Sequence, residues 1–557
     1  MTSFGRARIL ALTLSLLAFV GCETQAPPGL WSAVISDPKT FNPILVTDAG
    51  SSEALAPVFE ALLRRDPKTL EMKPLLAERW EHDPTGTEWT FHLRRDVHWH
   101  DGEPFTAADV VFTYGAIFDE RVPNSAEPIL SLAGEPRRVH AVDDHTVRFI
   151  LPRPFAPFLA SMPVEILPEH ILGAPLAAGK LAETWGIDTP PTAIVGTGPF
   201  RLAQYVPAQF LRYERNPGYW MRDEQGTQLP HLTNRTILIV PDQNASYLKF
   251  LARQTHYHLP RPEEVSELES RAADLEVQVE EMGIEASTLF LTFNRNPARY
   301  AKADGADPRL SWFTDLHFLR AIAHAVDKES IVRNCLAGRG RPAVAKFSPA
   351  DTVFHHPGLE DYAYDLEAAR ASLRAGGYTL EGGALHDAAG NRVAFSLTTN
   401  SGNKVRERLC SILKEDWAKL GIQVNYRPVD FTTLVEKLDR TFDWDVVLIG
   451  FTGSPEPHNS ANLLLSSGNL HLWHPSQETP ATEWEAEVDR LIEQATRTLD
   501  IDERARLYRR VQEILHEQLP MIQTVHHKLY VAYDGRLEGF ERTVWGQRRP
   551  ERIRFSP

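Results

Sequence analysis

Enzymatic chemistry needs a nucleophile beside a base, a backbone cradle for phosphate, or metal ligands at fixed spacing, and the chain holds only fragments of these. No nucleophile elbow, complete P-loop or His-Glu-x-x-His helix occurs. Gly196-Thr197-Gly198 begins like a phosphate loop, but Pro199 follows at once and the third glycine is missing, so it reads as a turn before a strand. His98-Trp99-His100-Asp101 places two imidazoles one pleat apart on a strand face, without a second cluster to complete a metal site. His355-His356 and His526-His527 are adjacent pairs that point apart or lie in loops. Neither a metal nor a cofactor is expected. The richest stretch is 443–459 (DWDVVLIGFTGSPEPHN), where an apolar strand, 446–449, empties into a Gly, Ser, Pro and His loop containing Phe451. Ligand loops of α/β proteins lie beyond the carboxyl ends of strands, and binding sites mix aromatic walls with a few placed polar groups. The alternative is a solvent-exposed turn.

Strands and helices must alternate to hold such a loop. Strand patterns fall at 30–35, 88–93, 139–150, 200–213, 289–293, 395–399, 423–426 and 445–449. Helical patterns fall at 107–118, 318–326, 405–420 and 502–516; in the third, Val405, Leu409, Ile412, Leu413 and Leu420 form one apolar stripe. This order predicts α/β lobes built on mixed sheets. Pro- and Gly-rich joints at 188–199 and 338–342 punctuate it, the first either a lobe boundary or a tight turn inside one lobe.

At 557 residues the chain should divide into two or three lobes. A formal charge of −15 argues against a general nucleic-acid binder. Arg6 and Arg8 precede an uncharged apolar run, 9–20, that ends in Phe19-Val20-Gly21-Cys22, the layout of an export signal too short for a permanent membrane span. It resembles a bacterial lipobox, which implies acylation of Cys22 after removal of residues 1–21; an ordinary cleaved signal is the alternative. Residues 22–29 read as a Pro-rich tether. Cys335 and Cys410 are either buried thiols or one disulfide.

Several motifs then converge. Phe41-Asn42-Pro43, 73–81 (KPLLAERWE), 87–94 (TEWTFHLR), 100–110 (HDGEPFTAADV), 195–200 (VGTGPF), 216–220 (NPGYW), Phe293-Asn294 and 319–328 (LRAIAHAVDK), with Gly338, span nearly the whole mature chain. Together they resemble the bacterial extracellular solute-binding proteins of family 5, the dipeptide, oligopeptide and nickel-binding class of ABC importers.

The resemblance implies an α/β fold of the periplasmic-binding-protein type in three domains, with two mixed-sheet lobes around a ligand cleft. Domain I would comprise 30–56, 195–290 and 520–557, domain II 57–194, and domain III 291–519. The expected function is that of a non-enzymatic, lipid-anchored monomer outside the cytoplasmic membrane, delivering a peptide or similar solute to an ABC permease. Oligosaccharide or metal-chelate binding and, more remotely, a secreted hydrolase are the alternatives. Phe41, Asn294, Phe451, Ser454, Glu456 and His458 are the expected ligand-binding residues. Peptide binders of this class carry, in the loop matching 451–459, an aspartate that pairs with the peptide ammonium; here Ser454 stands in its place. Serine cannot neutralise an amine, and an unpaired buried ammonium is costly. Either Glu456 supplies the charge, or the ligand has no free N-terminus.

Overall fold

A computed structural model describes residues 29–124, 130, 137–301, 307–475 and 477–556. The export segment, Cys22 and tether residues 22–28 lie outside the described residues.

Chain segments far apart in sequence meet in four sheets of four or five strands. The first orders Leu30–Val34, Asn234–Ile239, Phe210–Arg215 and Phe200–Val206, with only the Leu30–Asn234 pairing parallel. The second is an antiparallel sheet of Ala77–His82, Glu88–Leu93, Thr146–Ile150 and Arg138–Asp143. Its central strand Glu88–Leu93 alternates outward and inward residues, burying Trp89, Phe91 and Leu93. One continuous apolar core joins these two sheets.

The third sheet carries the loop of interest. It orders Gln423–Val429, Ala394–Asn400, Val446–Phe451, Thr288–Phe293 and Met521–Gln523. Val446–Phe451 runs parallel to Ala394–Asn400 and antiparallel to Thr288–Phe293. Both faces of this central strand are buried: Val446 and Leu448 belong to one core, Val447 and Ile449 to another. That double burial explains its unbroken apolar run. On the first face lies the helix Lys404–Ala418, which Asn403 caps by accepting from the Arg406 amide. It buries Leu409, Cys410, Leu413 and Trp417. Cys335 and Cys410 are both free and buried.

The expected 290/291 domain boundary falls inside the strand Thr288–Phe293, and Met521–Gln523, expected in domain I, pairs with that strand. Val277–Ile284 leads into Thr288–Phe293, and Val525–Asp534 leads out of Met521–Gln523. Val277–Ile284 and Val525–Asp534 pair antiparallel in a fourth sheet. The two connections between the third and fourth sheets therefore lie side by side. Among the described residues, no helix is long and apolar enough to cross a membrane.

Candidate functional site

The loop begins where Val446–Phe451 runs out of strand partners. Glycine is required at its start by close approach. A Cβ on Gly453 would lie 2.0 Å from the Ala286 carbonyl oxygen, and one on Gly450 would lie 2.9 Å from that of Thr288. The loop is thereby pressed against the connector between Val277–Ile284 and Thr288–Phe293. Phe451 is half-buried and stacks on Phe290 with ring centres 5.8 Å apart. The Ser454 hydroxyl oxygen accepts from the Glu456 amide (3.2 Å) and from the Asn459 side-chain amide (2.9 Å). Ser454 is thus a loop-shaping residue that holds Asn459 in place.

Glu456 is not a free charge. It is 5% exposed, and Arg504 grips both its carboxylate oxygens, one at 2.9 Å. Its Oε1 also accepts from the His458 amide (3.0 Å), capping the short helix Pro457–Ser460. Arg504 comes from the helix Ile501–Gln518 and donates its Nε to the Ala495 carbonyl at 3.1 Å. This paired, hydrogen-bonded arrangement is what lets two opposite charges sit in the interior. His458 packs edge-on against Phe155 at 5.2 Å, across to the first core, and its buried Nδ1 has no partner among the described residues. Burial lowers the pKa of its imidazole, against the pull of Glu456.

Two further expected site residues, Phe41 and Asn294, are buried. Phe41 is fully buried, edge-on to Tyr205 at 5.3 Å, and its amide donates to the Trp185 carbonyl at 2.8 Å. It is a core residue that positions the neighbouring turn at Pro43 and Ile44. Asn294 is also fully buried, and its side-chain amide donates to the carbonyls of Phe442 (3.0 Å) and Trp444 (3.1 Å). Antiparallel pairing places Phe293 opposite Val446 and Thr288 opposite Phe451, so Asn294 stands at the far end of the sheet from the loop.

Beside the loop lies a cavity of about 320 Å³. Asn459 forms one wall; Pro43, Ile44 and Val46 form a second; Ser161, Val164 and Glu165 form a third. The volume falls within the size range of small-molecule sites, about 300–1,000 Å³. Asn459, Glu165 and the apolar wall were missed from sequence because their significance comes from convergence of distant segments.

Charged groups crowd the base of the loop. Asp351 is 2% exposed and its Oδ2 has no partner among the described residues. Burial first, and then Glu456, push its carboxyl up to about 6, although two backbone amides and Arg65 oppose the shift. Arg65, on the strand Leu63–Arg65, feels both Glu456 and Asp351. Arg406 bonds the Asn400 side-chain oxygen at 2.6 Å and reaches the Gly450 carbonyl at 3.5 Å.

The histidine motifs resolve into structure. The His100 ring accepts from the Gly196 amide at Nδ1 (3.2 Å) and meets the Gly198 carbonyl at Nε2 (3.0 Å). Burial lowers its pKa to about 4. The same imidazole therefore clamps the Gly-Thr-Gly turn, whose glycines press against the Val58 carbonyl. His355 and His526 each direct Nδ1 at a backbone carbonyl, of Phe347 (2.7 Å) and Ser287 (3.1 Å). Among the described residues, no group of three His, Cys, Asp or Glu side chains is arranged to hold a metal.

Comparison with known proteins gives this geometry its family. The chain is 28% identical to the dipeptide-binding protein of Escherichia coli over 568 residues, covering 97% of this chain and 96% of that protein. Its fold matches the oligopeptide-binding protein AppA of Bacillus subtilis in complex with a nonapeptide, with a TM-score of 0.70 and 24% identity over 95% of this chain and 100% of that one. It also matches NikA from Brucella suis in complex with Fe(III)-EDTA, with a TM-score of 0.78 and 22% identity over 95% and 100% of the two chains. The family model for bacterial extracellular solute-binding proteins, family 5, matches residues 71–471, and the chain belongs to that family.

Proposed function

We propose that this protein captures a small organic solute, a peptide or peptide-like molecule, in the cavity beside Asn459 and delivers it to an ABC permease. The carrying observation is the cavity of about 320 Å³ whose walls bring together segments distant in sequence, including the loop after Val446–Phe451. On this reading domain II is 57–194, and domains I and III meet near Thr288 and Met521, where the paired connections act as the hinge. Closure strips water from the solute and strengthens each polar contact. Cys22 carries the lipid that holds the exported monomer at the membrane.

The relatives named for dipeptide and oligopeptide binding support a peptide, and the relative bound to Fe(III)-EDTA keeps a chelate as the second reading. A thermal-shift panel of Leu-Leu, N-acetyl-Leu-Leu, maltotriose and a nickel–histidine chelate separates them, because a ligand of the native state raises apparent stability by RT ln(1 + [L]/Kd). Stabilisation by peptides alone supports the reading; stabilisation by the chelate or the sugar alone replaces it.

A further inference from the structure

Among the described residues, one acid on the cavity wall makes no ion pair. The hydroxyls on its wall are already committed to backbone carbonyls: Thr113 donates to Asp109 (2.7 Å), Ser161 to Phe158 (2.6 Å) and Ser52 to Asp48 (3.1 Å). Asn459 directs its amide nitrogen at Ser454, which leaves its carbonyl oxygen as an acceptor. The one cation beside Ser161 in this hydrogen-bond network, Arg137, donates to that hydroxyl at 2.8 Å and packs over Phe155 and Phe158.

Glu165 lies on the same wall and its side chain is exposed, yet among the described residues it makes no ion pair. Its carboxyl accepts a hydrogen bond only from its own backbone amide. Enclosure raises the pKa of the carboxyl above the usual carboxylate range, and no neighbouring charge contributes. The chain around Leu130, another wall residue, contains no Lys, Arg or His from 125 to 136. A carboxylate on a cavity wall without an ion-pair partner is stabilised by a cation that arrives with N–H donors.

We propose that Glu165 is the ammonium anchor of the ligand site, so that the solute carries an amine on a compact apolar body, with the cationic end at Glu165. This rests on the cavity being the ligand site. It also accounts for Ser454: the free carboxylate that the loop does not supply stands on another wall.

The test is titration of Leu-Leu and N-acetyl-Leu-Leu into the wild-type protein, Glu165→Gln and Glu165→Asp. Wild type should bind Leu-Leu at least tenfold tighter than the acetylated form. Glu165→Gln should lose that preference, and Glu165→Asp should retain part of it. Unliganded Glu165→Gln should unfold at the wild-type temperature or above; if it unfolds earlier, the comparison of wild type with Glu165→Asp carries the test. Equal wild-type affinity for both probes, or a preference that survives Glu165→Gln, overturns the anchor and leaves the cavity reading standing. Failure of both probes to bind wild type overturns the cavity reading and the anchor with it.

Discussion

Glu456 and Arg504 are a pair in which each residue makes the other tolerable. Both are buried, and the guanidinium meets the two carboxylate oxygens as a fork. Removing one partner strands the other charge, so Arg504→Met should destabilise by about 3–5 kcal/mol in urea denaturation. The double variant Arg504→Met, Glu456→Leu should recover much of that loss; equal loss in both would mean that packing, not stranded charge, dominates. Glu60 makes a second case. It accepts from the Tyr219 hydroxyl (2.8 Å) and the Trp220 indole (3.2 Å), yet burial pushes its carboxyl up to about 7 from 4.5. Between those two values the folded state holds a proton that the unfolded chain has released. Stability therefore falls as pH rises through that window, by up to about 3 kcal/mol, and the loss is complete above it. Glu60→Gln should flatten the decline of melting temperature between pH 5 and 8; an unchanged slope would assign it to other groups.

The elements that place the loop depend on backbone proximity more than on side-chain chemistry. Gly453→Ala would drive a methyl into the Ala286 carbonyl, 2.0 Å away, so the loop must shift. Overpacking of this kind costs about 1–3 kcal/mol, and solute affinity should fall with it; full affinity would show that the loop is not a wall of the site. Much of this level was legible in sequence. The strand Glu88–Leu93 has the expected bounds, and Lys404–Ala418 lies within a residue or two of them, because alternation and the apolar stripe report burial directly. Two expected strands, 139–150 and 200–213, are hairpins instead. In the second, the turn at Ala208 has a φ of 57°, and its amide donates to Asp37 at 3.0 Å, a partner 171 residues away. Local propensity cannot report such a contact. The same limit hid the site: Ser454 and Glu456 were visible as loop residues, but their partners Asn459 and Arg504 follow from loop closure and helix packing. Phe41 and Asn294 have the composition of ligand contacts and the burial of core residues.

At the scale of the whole molecule, the segment 153–155 meets the loop and the chain beyond it along a rim. Phe155 meets His458, and Arg153 pairs with Glu493. On the proposed hinge reading these contacts favour the closed arrangement, and apparent affinity rises in proportion to the fraction of molecules closed. Changing both Arg153 and His458 to alanine should increase the radius of gyration in small-angle scattering without solute and weaken binding several-fold; an unchanged radius would remove the rim from the account. Anchoring is tested separately: Cys22→Ser should release the exported protein from membranes. The central claim is that the solute occupies the cavity beside Asn459. Calorimetric titration of Leu-Leu into wild type and into the cavity-filling variant Val46→Trp tests it most directly. The account predicts one site per chain in wild type and loss of binding in a variant that still melts cooperatively; undiminished binding by folded Val46→Trp would contradict it.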